Sequence, residues 1–266
     1  MDTSALRARF RDLHRDGTFV IPNPFDRGSA RLLAAMGFEA LATTSSGLAM
    51  SRGRNDMDID RQALLDHVAD LCEVVTVPVH VDAERGFADS PAGVAETVTR
   101  LADAGAAGCS IEDWDPGHHH IEAFDEAVRR VGAAADAADD HGMVLTARCE
   151  NLIHGVDDLD DTIRRLVAYR DAGATVVYAP GLADIDVVRR VVEETASAVN
   201  VLLLPGGPTV ADLAEAGVRR ISLGGRLARA AYGACVATAQ AVLDDGTVPD
   251  HLPRVPDAIA TDAFTW

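Results

Sequence analysis

The sequence predicts a (β/α)8 barrel that forms a single domain over all 266 residues. Eight short apolar segments alternate with stretches in which apolar residues recur every three or four positions, the patterns of buried strands and amphipathic helices. No linker or shift in composition interrupts the series, and eight βα units in unbroken order favour a closed barrel. A doubly wound sheet would normally carry a glycine-rich turn after its first strand, and this chain has Pro-Asn-Pro-Phe-Asp at residues 22–26.

The predicted elements follow one another regularly. Strands are expected at residues 19–22, 40–43, 77–81, 107–111, 144–147, 175–178, 199–203 and 219–222. An opening helix is expected at 3–16, and later helices at 27–36, 61–74, 91–104, 122–141, 157–172, 184–196, 209–216 and 227–243. Four helices end just before Gly37, Gly105, Gly173 and Gly217, where a left-handed residue closes the last turn. The Pro- and Asp-rich segment from about residue 244 is expected to lie as a tail on the surface or on a neighbouring subunit.

The charged residues exclude several classes of function. All 24 basic residues are Arg, and 42 acidic residues bring the net charge to -18. A chain without lysine cannot form the Schiff bases of lysine aldolases or pyridoxal phosphate enzymes. The strong negative charge argues against nucleic acid and anionic membranes as partners. The acidic, lysine-free composition suits a protein of concentrated salt, and codon bias in a GC-rich genome explains it equally well.

The cysteines and the hydropathy pattern indicate a cytoplasmic protein. The four cysteines, Cys72, Cys109, Cys149 and Cys235, are far apart and form no CxxC pair. This spacing predicts buried free thiols in a reducing compartment rather than a zinc site or disulfides. No apolar run reaches the length of a membrane span, and the first residues predict a charged amphipathic helix rather than a signal peptide.

Acidic residues follow two neighbouring strands where each strand ends. Asp82 and Glu84 come directly after the third strand, and Glu112 and Asp113 after the fourth. The active site of a (β/α)8 barrel lies at the carboxyl ends of its strands, so these side chains should meet there. Clustered carboxylates at that face predict a site for a hard cation such as Mg²⁺, with Mn²⁺ as the alternative.

Other residues at the same face predict binding of an anionic substrate. Arg148 follows the fifth strand and offers a planar fork for a carboxylate or phosphonate, or else neutralises the carboxylates around it. Backbone N–H groups near Ser46 and Gly47, after the second strand, can bind a second anionic group. His80 shares the inward side of its strand with Asp82 and is predicted to be a hydrogen-bonded core residue below the site.

Several ordered motifs resemble one family. They are residues 23–31 (Asn-Pro-Phe-Asp-Arg-Gly-Ser-Ala-Arg), 44–47 (Thr-Ser-Ser-Gly), 79–86 (Val-His-Val-Asp-Ala-Glu-Arg-Gly), 111–113 (Ile-Glu-Asp), 147–148 (Ala-Arg) and 221–225 (Ile-Ser-Leu-Gly-Gly). Together they are similar to the isocitrate lyase and phosphoenolpyruvate mutase superfamily. The resemblance implies a barrel whose last helix is exchanged with a neighbour, a homotetramer built as a dimer of dimers, and Mg²⁺-dependent chemistry on 2-oxo or 2-hydroxy acids.

The resemblance also implies roles for individual residues. Asp82 matches the direct metal ligand, and three further carboxylates match residues that reach the ion mainly through water. Those three are Asp56, Glu84 and Glu112. The loop of Ser46, Gly47 and Leu48 matches one that binds a substrate carboxylate or phosphonate, and Arg148 matches a residue that binds another anionic group.

The loop after the fourth strand departs from the family pattern. Cleaving members carry Lys-Lys/Arg-Cys-Gly-His there, with cysteine as acid or base, and mutases carry lysine and asparagine. This chain has Trp-Asp-Pro-Gly-His-His-His at residues 114–120. His118, His119 and His120 either replace the missing proton-transfer group or form an exposed polar loop. The departure argues against isocitrate or methylisocitrate lyase activity and against phosphonopyruvate mutase activity.

Three functions remain open from the sequence. The first is a Mg²⁺-dependent lyase or decarboxylase that cleaves a carbon–carbon bond of a small 2-oxo or 2-hydroxy di- or tricarboxylate through an enolate. The second is a carbon–phosphorus enzyme of the phosphonopyruvate hydrolase or mutase type. The third is a barrel that binds a metabolite without turning it over.

Overall fold

Eight parallel strands form the centre of the computed structural model, which describes residues 2–252 and 254–265. These strands are β1 (Phe19–Ile21), β2 (Leu41–Ala42), β3 (Val79–Asp82), β4 (Gly108–Glu112), β7 (Val144–Arg148), β8 (Val176–Tyr178), β9 (Ala198–Leu202) and β10 (Arg220–Ser222). The remaining pair, β5 (Trp114–Asp115) and β6 (His120–Ile121), forms an antiparallel hairpin that the sequence pattern does not predict. All eight predicted strands are confirmed, with ends shifted by one or two residues.

The strands close into a barrel. Their order is β1-β10-β9-β8-β7-β4-β3-β2, and every neighbouring pair is parallel. The two strands at the ends of this order are joined because the Ala42 N–H donates to the Pro22 carbonyl at 3.0 Å. The predicted (β/α)8 barrel is therefore confirmed.

Helices surround the barrel. They are α1 (Thr3–Leu13), α2 (Arg27–Ala35), α3 (Ser45–Ser51), α4 (Arg61–Val74), α5 (Pro91–Asp103), α6 (Phe124–Asp140), α7 (Leu159–Asp171), α8 (Ile185–Thr195), α9 (Val210–Glu215), α10 (Arg226–Asp245) and α11 (Asp257–Phe264). All nine predicted helices are present, and α3 and α11 are additional. The predicted closing glycines do have positive φ, between 85° and 108°. None of the described helices has the length and apolar character that crossing a membrane requires.

Three apolar clusters hold these layers together, one of them between α2, α4 and the strands β2 and β3. The largest lies between the strands and the outer helices and includes Cys109 and Cys149, so both thiols are buried as predicted. Cys72 is half-buried, and the prediction is wrong for Cys235, which is exposed on α10. A smaller cluster closes the bottom of the barrel, where Phe10 of α1 packs against Phe19 and Val144. Because α1 covers this end, the interior of the barrel opens toward the carboxyl ends of the strands.

The tail lies on the surface of its own chain in this structure. Helix α11 packs against α2, and Arg31 Nη2 donates to the carbonyl of Thr265 at 3.0 Å. The tail is thus partly helical, whereas its Pro- and Asp-rich composition predicted only a surface segment. The exchange of the last helix between subunits stays a prediction.

Candidate active site

A cavity of about 300 Å³ opens at the carboxyl ends of the strands. Its mouth is lined by Asp82, Asp56 and Arg148, and one side is formed by the serines at the start of α3. This is the face at which the sequence predicts the site. Four of the predicted residues, Ser46, Asp56, Asp82 and Arg148, thus share one cavity.

Arg148 lies between three carboxylates. Its Nη1 is 2.8 Å from Asp82 Oδ1, its Nη2 is 3.1 Å from Glu112 Oε2, and its Nε is 2.9 Å from Glu150 Oε1. The contact between Arg148 and Glu112 follows from the register of β4 and β7, because Glu112 at the end of β4 pairs with Arg148 at the end of β7. The guanidinium therefore neutralises the carboxylate ring in this structure, and its predicted contact with a substrate anion stays a prediction.

The predicted metal carboxylates lie near one another and repel. Asp82 Oδ2 accepts from the Ser45 N–H at 3.1 Å, and the Asp82 N–H donates to Thr43 Oγ1 at 2.9 Å, which fixes the side chain at the mouth. Asp56 is exposed at the mouth, where partial loss of hydration and the negative charge of Asp82 raise its pKa. Burial, Asp82 and Asp56 also raise the pKa of Glu84 to about 8. The site is thus rich in negative charge.

Glu112 belongs to the same electrostatic group. Burial raises its pKa well above the ordinary value, and Glu150, Asp82 and Glu84 raise it further, while Arg148 lowers it. The Glu112 N–H donates to the Glu84 carbonyl at 2.9 Å, so the ends of β3 and β4 are tied together here. One guanidinium faces an excess of carboxylates at this edge of the barrel.

These oxygens fit a hard cation. Within residues 2–252 and 254–265, no three His, Cys, Asp or Glu side chains are placed so that they could hold a metal ion together, and Arg148 is paired with Asp82 and Glu112. Mg²⁺ needs no such cluster, since it is usually held by one or two carboxylates and keeps several waters. Asp82 would hold it directly, with Asp56, Glu84 and Glu112 reaching it through water.

The predicted anion-binding loop is the first turn of α3. Thr44 caps this helix, with its Oγ1 accepting from the Gly47 N–H at 3.4 Å, and Ser45 and Ser46 line the cavity. A side chain at Gly47 would place its Cβ 2.6 Å from Thr44 Cγ2, so close packing requires glycine. Leu48 is buried in the apolar core, its N–H donates to the Thr44 carbonyl at 2.9 Å, and neither Gly47 nor Leu48 lines the cavity. Of the predicted loop, Ser46 is therefore the residue that faces the cavity.

The three histidines lie outside the cavity. The His118 side chain is 79% exposed, and its Nδ1 is 3.0 Å from Asp115 Oδ2. His119 and His120 belong to the exposed hairpin of β5 and β6, and none of the three lines the cavity. Of the two predicted alternatives, a replacement proton-transfer group or an exposed polar loop, this conformation agrees with the exposed polar loop.

Asp113 points away from the carboxylate ring. Its Oδ2 accepts from the Tyr169 hydroxyl at 2.6 Å, and its Oδ1 accepts from the Glu150 N–H at 2.8 Å. Arg165 Nη1 also lies 3.3 Å from Oδ2. Asp113 therefore fixes the backbone of Glu150, whose side chain then reaches Arg148.

His80 is buried in the barrel interior below the site, as predicted, but the predicted hydrogen bonding is not met at its Nδ1. That nitrogen is buried without a partner in the described chain, because it faces the backbone of Gly108 and the ring of Phe10 lies 5.7 Å away. Burial, and then the charge of Arg220, lower the pKa of His80 well below its ordinary value. His80 is therefore a neutral side chain below the site.

Arg220 forms part of the cavity floor and was missed by the sequence reasoning. Its Nε donates to Asn200 Oδ1 at 2.9 Å, and its Nη2 donates to Thr146 Oγ1 at 2.8 Å. The residue begins β10 and faces inward, as Ser222 does two positions later. The sequence does contain one indication of this role, a charged residue at an inward position of an apolar strand. It is easily overlooked, because Arg219 precedes it in the helix–strand loop and the pair resembles a polar loop end.

Comparisons with known proteins agree with this geometry. A sequence model of the phosphoenolpyruvate phosphomutase family matches residues 10–243. A crystal structure from Burkholderia cenocepacia, provisionally named a lyase/mutase, has a TM-score of 0.94 at 48% identity and covers 99% of this chain and 97% of that one. The 2-methylisocitrate lyase of Salmonella typhimurium is 32% identical over 67% of this chain and 63% of its own length. The oxaloacetate decarboxylase of Pseudomonas fluorescens is 28% identical over 98% of this chain and 91% of its own.

Proposed function

Because the chain belongs to the phosphoenolpyruvate phosphomutase family, we propose that it is a Mg²⁺-dependent lyase or decarboxylase that cleaves a carbon–carbon bond of a small 2-oxo dicarboxylate. The observation that carries this proposal is the position of Asp82, which lies in a ring of carboxylates at the mouth of the cavity. Decarboxylation of oxaloacetate is the first reaction to test.

Two observations favour decarboxylation over cleavage of a larger acid. The similarity to oxaloacetate decarboxylase extends over 98% of this chain, whereas that to 2-methylisocitrate lyase extends over 67%. The short hairpin after β4 also has neither cysteine nor lysine to act as acid or base. Decarboxylation releases CO₂ and needs only a proton for the remaining enolate, which water can supply.

The residues of the chain would perform three tasks. A bound Mg²⁺ would polarise the 2-oxo group and stabilise negative charge as the carbon–carbon bond breaks. Asp82 would hold the ion, and Arg148 keeps the surrounding carboxylates at fixed positions. The polar groups at the start of α3 would orient one substrate carboxylate. A cavity of about 300 Å³ lies at the small end of ligand pockets and suits a short acid.

The test is a substrate screen with the full-length chain and MgCl₂. Pyruvate release is measured from oxaloacetate, 2-methylisocitrate and phosphonopyruvate, with the spontaneous Mg²⁺-catalysed decay of oxaloacetate subtracted. We expect release from oxaloacetate that saturates with substrate and disappears with EDTA. Formation of phosphate or of phosphoenolpyruvate from phosphonopyruvate would instead support the carbon–phosphorus alternative, as a hydrolase or a mutase respectively. Saturable binding without any product would support the metabolite-binding barrel.

The setting of the enzyme is part of the same proposal. We infer a cytoplasmic homotetramer that binds neither nucleic acid nor membranes and accepts Mn²⁺ in place of Mg²⁺. The net charge of -18 supports the absence of anionic partners, and exposed Val236 and Leu243 on α10 support a contact between subunits. Light scattering after size exclusion tests the tetramer, and a monomeric mass at micromolar concentration would contradict it.

A further inference from the structure

The cavity continues below the carboxylate ring into the barrel. The interior of such a barrel is normally filled by layers of bulky branched side chains. Here small residues, Ala42, Ser110 and Ser222, line the cavity at the middle of the barrel. The open space reaches the guanidinium of Arg220 and the amide of Asn200. A ligand that enters at Asp82 therefore meets a cation at the far end.

Arg220 differs from the buried Arg148 and Arg165 in its partners, and from the buried Arg130 in its position. Arg130 also forms no ion pair among the described residues, but it binds three backbone carbonyls and does not line the cavity. Arg148 contacts three carboxylates, and Arg165 contacts Asp113 and Asp161. Arg220 is only 3% exposed, yet no carboxylate of the described residues forms an ion pair with it. Its partners are the neutral oxygens of Asn200 and Thr146, and Nη1 has only a 3.5 Å contact with His14 Nε2.

An uncompensated buried cation is costly, because the charge leaves water and gains no partner of opposite sign. The groups around Arg220 do not compensate it. His14 and His80 are both held neutral, since burial and the charge of Arg220 lower the pKa of each. The remaining source of a negative charge is an anion that enters through the cavity.

We propose that Arg220 is a specificity-determining residue that binds the second carboxylate of a dicarboxylate substrate at the cavity floor. The position of the other end of the substrate, at Asp82, rests on the proposed function. Two N–H groups of a guanidinium match the two oxygens of a carboxylate, and Asn200 and Ser222 lie beside them as further polar groups. Arg220 thus selects diacids over the corresponding monoacids.

The experiment measures binding rather than turnover. Affinities are determined by calorimetry with MgCl₂ for two matched pairs of stable ligands, malate against 2-hydroxybutyrate and 2-hydroxyglutarate against 2-hydroxyvalerate. Each pair differs only in a terminal carboxylate that is replaced by a methyl group. We expect the full-length chain to prefer the diacid in at least one pair by roughly 10- to 100-fold, the range of a charge-assisted hydrogen bond in a buried site.

Two variants locate this preference. Arg220→Gln keeps amide donors for Asn200 and Thr146 but removes the charge, so we expect it to abolish the preference while the monoacid affinity changes less than about threefold. Arg7→Gln is the matched control, because Arg7 binds the backbone carbonyls of Ala102, Ala106 and His141 away from the cavity. This control should keep the diacid preference of the original chain.

Each outcome decides the inference. It is overturned if the original chain shows no preference in either pair, or if Arg220→Gln weakens diacid and monoacid equally, as a purely structural role requires. Should Arg220→Gln not fold, Arg220→Lys keeps a cation without the forked geometry, and it must lose diacid affinity selectively. A chain that prefers diacids but releases no pyruvate from oxaloacetate contradicts the proposed function and leaves this inference standing.

Discussion

Two buried arginines in the same barrel have opposite surroundings. Arg148 is the last residue of β7 and lies among Asp82, Glu112 and Glu150 at the mouth of the cavity. Arg220 is the first residue of β10 and has only neutral partners at the floor. The charge of Arg148 is compensated by these carboxylates, whereas no carboxylate of residues 2–252 and 254–265 forms an ion pair with Arg220. The mouth is therefore suited to hold a cation and the floor to hold an anion.

The barrel geometry produces this difference. Arg148 is paired in register with Tyr178, Tyr178 with Asn200, and Asn200 with Arg220. Because barrel strands are tilted and staggered, residues along one such line lie at different depths. The same line of pairing thus places one arginine at the mouth and the other at the floor. A 2-oxo diacid has complementary ends, a carbonyl for the cation at the mouth and a carboxylate for the floor.

We expect the largest effect on turnover from a substitution of Asp82 at the mouth of the cavity. Asp82→Ala removes the proposed direct metal ligand, and because a metal supplies several kcal/mol of charge stabilisation, Mg²⁺-dependent turnover should fall at least about 100-fold. Mg²⁺ should also stabilise the original chain, by about 1.4 kcal/mol at ten times its Kd, and this increment should vanish in the variant. Coupled pyruvate assays and thermal melts with and without MgCl₂ measure both effects.

Asp16→Ala is the matched control for that prediction, because the Asp16 side chain is fully exposed and far from the cavity in the fold. It should keep both the turnover and the Mg²⁺-dependent melt. An Asp82→Ala protein that retains the original rate would remove Asp82 from the metal site.

The two arginines should differ in their contribution to stability. Arg148→Gln leaves buried carboxylates without their cation and should cost about 3–5 kcal/mol of unfolding free energy. Arg220→Gln removes a cation that has no buried counter-ion and keeps polar contacts, so it should change that free energy by less than about 1 kcal/mol. Urea unfolding of both variants at pH 7.0 and equal salt measures the difference. Equal losses would show that the two charges are compensated alike.

A smaller effect concerns His14, which lies against Arg220. Burial and the charge of Arg220 lower the pKa of His14 to about 3. A histidine with a lowered folded pKa costs stability as the pH falls, beginning near its unfolded value of 6.5 and ending near 3. Arg220→Gln removes one of three causes that lower the pKa of His14, so this pKa should rise while burial and the charge of Arg219 keep it below 6.5.

NMR titration of the histidine rings measures this shift directly. His67 is the internal control, because burial and Arg52, not Arg220, lower its pKa to about 4. The variant should also lose less stability than the original chain as the pH falls toward 3, because the loss ends at the folded pKa of His14, which is higher in the variant. An unchanged His14 titration would mean that the charge of Arg220 is already compensated.

The sequence predicts the elements of this fold better than their contacts. Periodicity and closing glycines locate all eight strands, because burial of alternate faces leaves a direct pattern in the chain. They also bring Asp82, Glu112 and Arg148 to one face. Residues 44–51 look like a polar loop in the sequence, but in the structure they form the short helix α3. The Thr44 side chain caps this helix by accepting from the Gly47 N–H.

Contacts across the barrel depend on stagger and on long side chains, which the sequence does not display. The pairing of Arg148 with Glu150 requires Asp113 to hold the Glu150 backbone from the other side of the strand. The isolation of Arg220 requires that every inward neighbour be neutral or small. A local sequence pattern can predict neither the Arg148–Glu150 pair nor the neutral surroundings of Arg220, because each depends on residues from several strands.

The smallest expected effect lies outside both regions, in the hairpin. Replacing His118, His119 and His120 together by Ala should change turnover less than about threefold, because a group that does not reach the substrate cannot transfer its proton. His118 is 79% exposed and is engaged by Asp115, and none of the three lines the cavity. A coupled assay at saturating oxaloacetate measures the rate, with circular dichroism as the check on folding. A loss of 100-fold with an intact fold would mean that the hairpin closes over the mouth during turnover, so that the cation at Asp82 and a histidine act on the same substrate carbon.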